Sequence, residues 1–189
     1  MGELIDLYKA HVLSFIEYRT SAIYHASSSV LGSIDKIQDR MLKIACISEL
    51  EALLVHNLAP LSTRRDIAML GVIHRAALGQ GPEQLRQFFC PGARHGGRCT
   101  RLHMRRHDRQ LTEYKDGHHT EYVSRSVLGL VSVYNLLPGR VVVFEEVSKF
   151  QAALQKFVIE QALAGQDNWD KLFSPRIEIW HHPLMLYRD

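Results

Sequence analysis

Apolar residues in the first 80 positions recur every three or four residues, the spacing that places side chains on one face of an α-helix. One stripe runs through residues 4–25, and a second runs through residues 30–45. The first stripe contains Leu4, Leu7, Tyr8, Val12, Phe15 and Ile16. Serines 27–29 separate the two stripes and offer side-chain oxygens that can cap the second helix. The pattern therefore predicts two successive amphipathic helices.

Two further helices are predicted, each with its own start signal. Ser48 with Glu51 three residues later forms a capping box, which predicts a helix over residues 49–56. After Pro60 a fourth helix is predicted to run to residue 78. It stops where Gly79, Gly81 and a proline follow one another, a strong terminator.

The middle of the chain loses this periodicity. Residues 90–109 contain six arginines, three histidines and one acid, which predicts an irregular basic loop, and residues 111–125 stay polar. Residues 127–134 and 141–144 are rich in β-branched side chains and suit a strand or a buried helix equally well. The helical period returns over residues 145–164. We predict a mainly α fold: a helical bundle in the N-terminal half, the basic loop, and a smaller α-rich C-terminal part with at most short strands.

The composition is that of an ordinary globular protein, with 46% hydrophobic and 23% charged residues. The charges are uneven, because residues 1–110 carry 15 Lys and Arg against 10 Asp and Glu, whereas residues 111–189 carry 8 against 10. A basic front favours a polyanionic partner. The sequence shows no secretory signal pattern and no apolar run of spanning length, and its three cysteines are an odd number. We expect an intracellular protein, nuclear or cytoplasmic, that is not secreted and does not bind a membrane.

The sequence gives no sign of catalytic chemistry. The acids are scattered, with no adjacent aspartates to hold two metal ions. Neither a Gly-x-Ser-x-Gly elbow nor a Cys-x-x-Cys pair occurs, and Gly79-Gln80-Gly81 lacks the Lys-Ser/Thr of a phosphate loop. We expect no enzymatic activity and no cofactor. A zinc-stabilised loop stays an alternative, although eight residues separate its two cysteines. Its ligands would be Cys90, His95, Cys99 and His103.

Basic side chains are the main candidates for a binding site. Lys36, Arg40 and Lys43 are spaced by four and three residues, so they share one face of the second helix. An arginine pair opens the fourth helix, and the loop arginines have almost no acids nearby to pair with. The predicted contacts to nucleic acid are Lys36, Arg40, Lys43, Arg64, Arg65, Arg105 and Arg106. The alternative that Lys36 and Arg40 pair with Asp35 and Asp39 stays open at this point.

Five stretches of the chain form a series in a fixed order: residues 7–18, 34–44, 59–66, 134–138 and 148–154. The third contains the pair Arg64-Arg65, and the fourth reads Tyr-Asn-Leu-Leu-Pro. In order and spacing the series resembles the C-terminal part of reverse transcriptases from non-LTR retrotransposons, over roughly residues 4–158. Tyr134 stands where that family usually has Trp.

The resemblance implies a thumb-like helical bundle over residues 1–82, a basic linker over 83–126, a C-terminal helical segment over 127–165 and a tail over 166–189. In such polymerases the thumb holds the template–primer duplex, and this implies that Lys36, Arg40 and Lys43 contact its backbone without reading its sequence. The family's palm, with its catalytic aspartates, would lie before Met1. RNA or an RNA–DNA duplex is the implied partner, and a separate polymerase chain is a further candidate.

Two other interpretations stay open. A decayed retrotransposon remnant without function fits the sequence as well. A helical protein–protein interaction module is the other, docking through the amphipathic helix over residues 145–164. That module predicts that Phe150, Leu154 and Phe157 are partly exposed, whereas the reverse-transcriptase interpretation predicts that they are buried against residues 127–137.

Overall fold

The computed structural model describes residues 2–92, 106–113 and 121–187, and these residues are mainly helical. The helices are α1 (Gly2–Leu7), α2 (Ser14–Tyr18), α3 (Thr20–Ile23), α4 (Ser28–Ile44), α5 (Glu49–His56), α6 (Leu61–Ala77), α7 (Glu83–Arg86), α8 (Glu121–Arg125), α9 (Leu130–Leu136), α10 (Gly139–Val142) and α11 (Val147–Leu163). Short 3₁₀ turns follow at Trp169–Lys171, Ile179–His181 and Pro183–Leu186. Within the described ranges the one β-type pairing is a bridge between Pro91 and Leu111. The mainly α fold is confirmed.

The predicted helix boundaries agree with capping contacts. Ser27 accepts a hydrogen bond from the backbone N–H of Val30 at the start of α4, and Ser48 accepts one from Glu51 at the start of α5. Helix α5 has the predicted bounds. Helix α6 is followed by Gly79 at φ +73°, a left-handed backbone conformation that glycine adopts without a steric penalty.

The first predicted helix contains a π-helical segment, Tyr8–Leu13, between α1 and α2. The wider turn inserts one extra residue between buried positions, so that Tyr8 is followed on the core side by Leu13. Val12, which the periodic pattern placed on the buried stripe, is exposed, as are Leu4 and Phe15. The α-helical period therefore predicted the wrong inward-facing residues for this element, although Tyr8 and Ile16 are buried as expected.

The two β-branched runs contribute to helices: residues 130–134 belong to α9, and residues 141–142 belong to α10. Helix α9 is buried on nearly all sides, because Leu130, Val131, Val133 and Tyr134 are each at most 2% exposed. A helix that is surrounded by protein needs no polar face, so its sequence carries no amphipathic period. The alternative of a strand at residues 127–134 is excluded, because residues 127–129 form a turn and residues 130–134 belong to α9.

The core is centred on α6, which contacts α11 and α9. Phe150, Leu154 and Phe157 of α11 are at most 2% exposed. The three side chains are buried, as predicted, and the centroid of the Phe150 ring lies 6.2 Å from that of the Tyr134 ring. Their burial excludes α11 as a docking surface through these side chains. The same apolar cluster extends from Tyr24 to Leu184 and so includes side chains from both sides of residue 82. The division at residues 82, 126 and 165 stays a prediction.

A smaller apolar cluster joins α1, the π segment, α2, α4 and α5, with Ile5, Leu13 and Met41 among its members. It holds α4 against the rest of the molecule and so fixes which side of α4 faces outward. None of the helices in the described ranges is both long and apolar enough to cross a lipid bilayer.

Candidate nucleic-acid interface

Helix α4 buries one side and presents the predicted cations on the other. Leu31, Gln38, Met41 and Leu42 form its buried side. Gln38 is fixed there, since its amide donates to the carbonyl oxygen of Ala59 at 3.1 Å and it accepts from the Tyr8 hydroxyl at 3.2 Å. The outward side carries a row of basic residues that we call the α4 cationic face. Its members are Lys36, Arg40 and Lys43, all exposed.

The α4 cationic face has the dimensions of a backbone-binding surface. Lys36 and Lys43 lie seven residues apart, which corresponds to about 10 Å along a helix. DNA carries about one negative charge per 1.7 Å of duplex axis, so several phosphates fall within that length. Three cations on one side of a helix can therefore contact neighbouring phosphates without contacting the bases.

Asp35, the acid next to Lys36 in the sequence, already forms an ion pair with another residue. Arg65 of α6 binds it with both arms of the guanidinium, at 2.6 Å from Nη1 to Oδ1 and 2.9 Å from Nη2 to Oδ2. Arg65 is 4% exposed. Within the described residues, Lys36 makes no ion pair with any acid, and the same holds for Arg40 and Lys43. Asp39 is exposed on α4 and is the acid nearest in sequence to these cations.

The arginine pair at the start of α6 is divided between surface and core, because adjacent helical residues point about 100° apart. Arg64 is half-buried and forms an ion pair with Glu17 of α2. Its Nη1 also donates to the carbonyl oxygen of Asn57. Arg65 is buried in its pair with Asp35. Arg64 and Arg65, both predicted to contact nucleic acid, therefore join helices to one another and do not belong to the proposed interface.

The described part of the basic loop places its arginines on backbone carbonyls. Arg106 donates to the carbonyl oxygens of Leu136, Leu184 and Tyr187, at 3.1, 2.7 and 2.8 Å. Arg109 does the same for the end of α10, donating to Val142 and to Phe144. These contacts connect the loop to α9, α10 and the tail. Arg105 lies outside the described residues, so its predicted contact stays a prediction.

Two buried side chains, Asp66 and His74, have shifted pKa values that couple their protonation to folding. The Tyr24 hydroxyl donates to Asp66 Oδ1 at 2.8 Å, and burial raises the pKa of Asp66 to about 7. His74 is fully buried and stacked on Phe150 at 4.0 Å between ring centroids. Its Nε2–H donates to the carbonyl oxygen of Phe144, so Nδ1 accepts from the Tyr134 hydroxyl. Burial lowers the pKa of His74 and favours this neutral form.

The predicted zinc loop falls mostly outside the described residues. Of its four ligands only Cys90 is described, and its thiol is exposed. Across residues 2–92, 106–113 and 121–187, no three His, Cys, Asp or Glu side chains are grouped to hold a metal ion. The zinc interpretation, which needs His95, Cys99 and His103, therefore stays a prediction.

The residues that sequence reasoning did not single out as a site lie in the tail. Trp169 and Trp180 line a cavity of about 280 Å³ below the end of α11. Both tryptophans of the chain lie within these twelve positions, and this clustering is the signal that could have drawn attention to the tail.

Comparison of the chain with protein-family models, with curated proteins and with solved structures gives no match. The reverse-transcriptase resemblance accordingly enters the functional argument as a proposal.

Proposed function

We propose that this chain is the thumb and downstream extension of a non-LTR reverse transcriptase, and that it binds the sugar–phosphate backbone of an RNA–DNA duplex or RNA. The observation that carries the proposal is the α4 cationic face: Lys36, Arg40 and Lys43 are exposed in one row and have no ion-pair partner among the described residues. Contact of such exposed cations with phosphates is favourable in free energy, because it releases counterions that are condensed on the nucleic acid.

Helix α4 is rigidly positioned for this task. Its buried side is fixed by Leu31 and Met41, and the Arg65–Asp35 pair joins it to the central helix α6. The same pair neutralises Asp35, which reduces the negative potential beside Lys36. We assign no catalytic role to this chain, because the proposed contacts position a duplex and perform no chemistry.

The test is binding of a labelled RNA–DNA duplex to a triple variant, Lys36→Glu with Arg40→Glu and Lys43→Glu, measured by fluorescence anisotropy. The matched control changes three exposed cations elsewhere: Arg75→Glu, Lys149→Glu and Lys156→Glu. Both variants alter the net charge equally. We expect the α4 variant to lose at least about 100-fold in affinity at low salt, and the control to lose far less.

Equal losses in the two variants would show only a general charge effect and would contradict the α4 assignment. Absence of wild-type binding at low salt would contradict the function itself. Circular dichroism of each variant checks that the helices remain formed.

A helical protein-interaction module is the second candidate, and one observation favours it in a different place from α11. The outer side of α1 and α2 exposes Leu7, Phe15 and Tyr18, with 58%, 55% and 87% of their surface accessible. Exposed apolar rows of this kind are typical of contact surfaces. A separate polymerase chain is the partner that we would test first, by sedimentation of the mixture with wild-type and with Phe15→Ser protein.

A further inference from the structure

The tail folds back against the end of α11 and forms a partly open cavity with it. Helix α11 ends at Leu163, and Gly165, with a φ of +72°, turns the chain sharply. The 3₁₀ turns that follow line a partly open cavity of about 280 Å³. Pockets that hold drug-sized ligands measure about 300–1,000 Å³. This cavity therefore suits one small planar group better than an extended cofactor.

The apolar part of the cavity wall is aromatic. Trp169 is half-buried, and Trp180 leaves 65% of its surface exposed beside Leu186, which is 77% exposed. The exposed indole of Trp180 offers a flat apolar surface at the cavity that a ligand can cover. An indole face stacks on any planar ring.

The polar part of the wall matches the edge of such a ring. Gln166, Asp167 and Asn168 line the cavity with exposed side chains, and none of these side chains makes a hydrogen bond within the described part of the chain. The two amides offer both donors and acceptors, and the carboxylate offers acceptors. Nucleobases carry adjacent donors and acceptors on their edges, whereas the rings of phenylalanine and tyrosine carry at most one polar atom.

The floor of the cavity is fixed before any ligand enters. His182 is 2% exposed; its Nε2–H donates to the carbonyl oxygen of Ser174 at 3.2 Å, and its Nδ1 accepts from the backbone N–H of Leu184. The Tyr187 hydroxyl donates to Gln161 of α11. A preformed floor lowers the entropic cost of binding a small rigid group.

The 3₁₀ turn Trp169–Lys171 borders both the cavity and a cleft beside α4. The turn Trp169–Lys171 is held on α6, because the Thr63 hydroxyl donates to the carbonyl oxygen of Asp170 at 2.5 Å. Asp170 lines a cleft that Asp35 and Asp39 of α4 also line. The cleft is lined by the acids of α4 and not by Lys36, Arg40 or Lys43.

We propose that the aromatic cavity binds one unstacked nucleobase of a single-stranded nucleic acid, stacked against Trp180 and hydrogen-bonded along its edge by Asn168 and Gln166. The choice of a nucleobase among planar ligands rests on the proposed function.

The test uses the tryptophan fluorescence of the full chain, because both tryptophans line the cavity and no other tryptophan contributes. The probes are adenosine, guanosine, a short single-stranded RNA of mixed sequence and the same RNA with one abasic position. Excitation at the red edge of the indole band limits absorption by the bases, and high salt screens the backbone contacts of α4.

We expect the single strand to quench the emission saturably, and the nucleosides to do so more weakly. The variant Trp180→Ala, read by anisotropy of the labelled strand and by Trp169 emission, should weaken binding about 5- to 100-fold. The matched control Tyr122→Ala, which removes an exposed aromatic side chain from α8, should change the affinity less than twofold.

Three results would overturn the proposal: no quenching by strand or nucleoside, equal affinity of Trp180→Ala and wild type, or tighter binding of an aromatic dipeptide than of a nucleoside. Quenching by nucleosides but not by the strand would likewise contradict the proposed single-stranded occupant. The nucleosides carry no phosphate, so this assay does not depend on Lys36, Arg40 and Lys43. The absence of nucleobase binding in the cavity and the absence of duplex binding on α4 can therefore be distinguished.

Discussion

Arg65 of α6 and Asp35 of α4 form a two-pronged ion pair, with both guanidinium Nη atoms within 2.9 Å of the carboxylate oxygens. Arg65 is buried, and the side chain of Asp35 is 31% exposed. The pair connects the central helix to the helix that carries the exposed cations. Because Asp35 already has this partner, Asp39 is the nearby acid on α4 that remains available to Lys36.

Replacing Arg65 with methionine should lower the free energy of unfolding by about 2–4 kcal/mol. The loss is large because a buried ion pair is broken and the Asp35 carboxylate remains without its partner, although its exposure limits the cost. Urea denaturation followed by circular dichroism measures the change.

Arg64→Met provides the comparison, because the half-buried Arg64 pairs with Glu17, whose side chain is 41% exposed. Exposed pairs contribute about 0–1 kcal/mol, so this variant should stay close to wild type. A loss of similar size in both variants would mean that burial does not distinguish the two arginines.

Asp66 should make the protein less stable as the pH rises from about 4 to 7. Its pKa is about 7 in the folded chain and about 3.9 when unfolded, so the folded state holds the proton more tightly across this range. The contribution is full below pH ~4, is lost by pH ~7 and is on the order of 2–4 kcal/mol. Asp66→Asn keeps an acceptor for the Tyr24 hydroxyl and should remove this pH dependence. Unfolding free energies of the two proteins at several pH values provide the test, and parallel profiles would refute it.

His182 should act in the opposite direction. Burial, with the nearby charge of Arg106, lowers the pKa of its ring to about 4, against about 6.5 when unfolded. The stability it contributes is complete above pH ~6.5 and falls by about 3 kcal/mol as the pH drops to ~4. Asp66 partly offsets this loss in wild type, so Asp66→Asn should show a steeper acid destabilisation, and adding His182→Asn should flatten it. A double variant as acid-sensitive as Asp66→Asn alone would exclude this role for His182.

Arg106→Met should destabilise the chain by about 2–4 kcal/mol, since three carbonyl oxygens lose one charged donor. Its duplex affinity should stay within about twofold of wild type wherever the protein is folded. Arg106→Lys should recover little of the stability, because one ammonium cannot reproduce the guanidinium geometry. Normal stability with weakened duplex binding would instead place Arg106 in the interface.

The helical elements could largely be predicted from periodicity and caps, as α5 illustrates with its Ser48 cap and expected bounds. The π segment could not, because one extra residue between Tyr8 and Leu13 breaks the period without any glycine or proline to mark it. The β-branched run that forms α9 stayed ambiguous because complete burial removes the polar face that identifies a helix.

The candidate site was predictable only in part. The row of Lys36, Arg40 and Lys43 follows from spacing alone, and the structure leaves these side chains exposed. Burial of Arg65 had a visible signal, since it lies four residues after Leu61 and four before Met69 on the same buried stripe. The contacts of Arg106 had none, because its acceptors are backbone carbonyls, which carry no sequence signature and lie 30 or more positions away.

The central claim is that α4 contacts phosphates, and the salt dependence of duplex binding tests it most directly. Each contact contributes about −0.9 to the slope of log K against log salt concentration. We predict that changing Lys36, Arg40 and Lys43 together to alanine makes the slope for an RNA–DNA duplex shallower by about 3 and lowers affinity at every salt concentration. A slope unchanged from wild type, measured on a folded variant, would show that the duplex is held elsewhere or not at all.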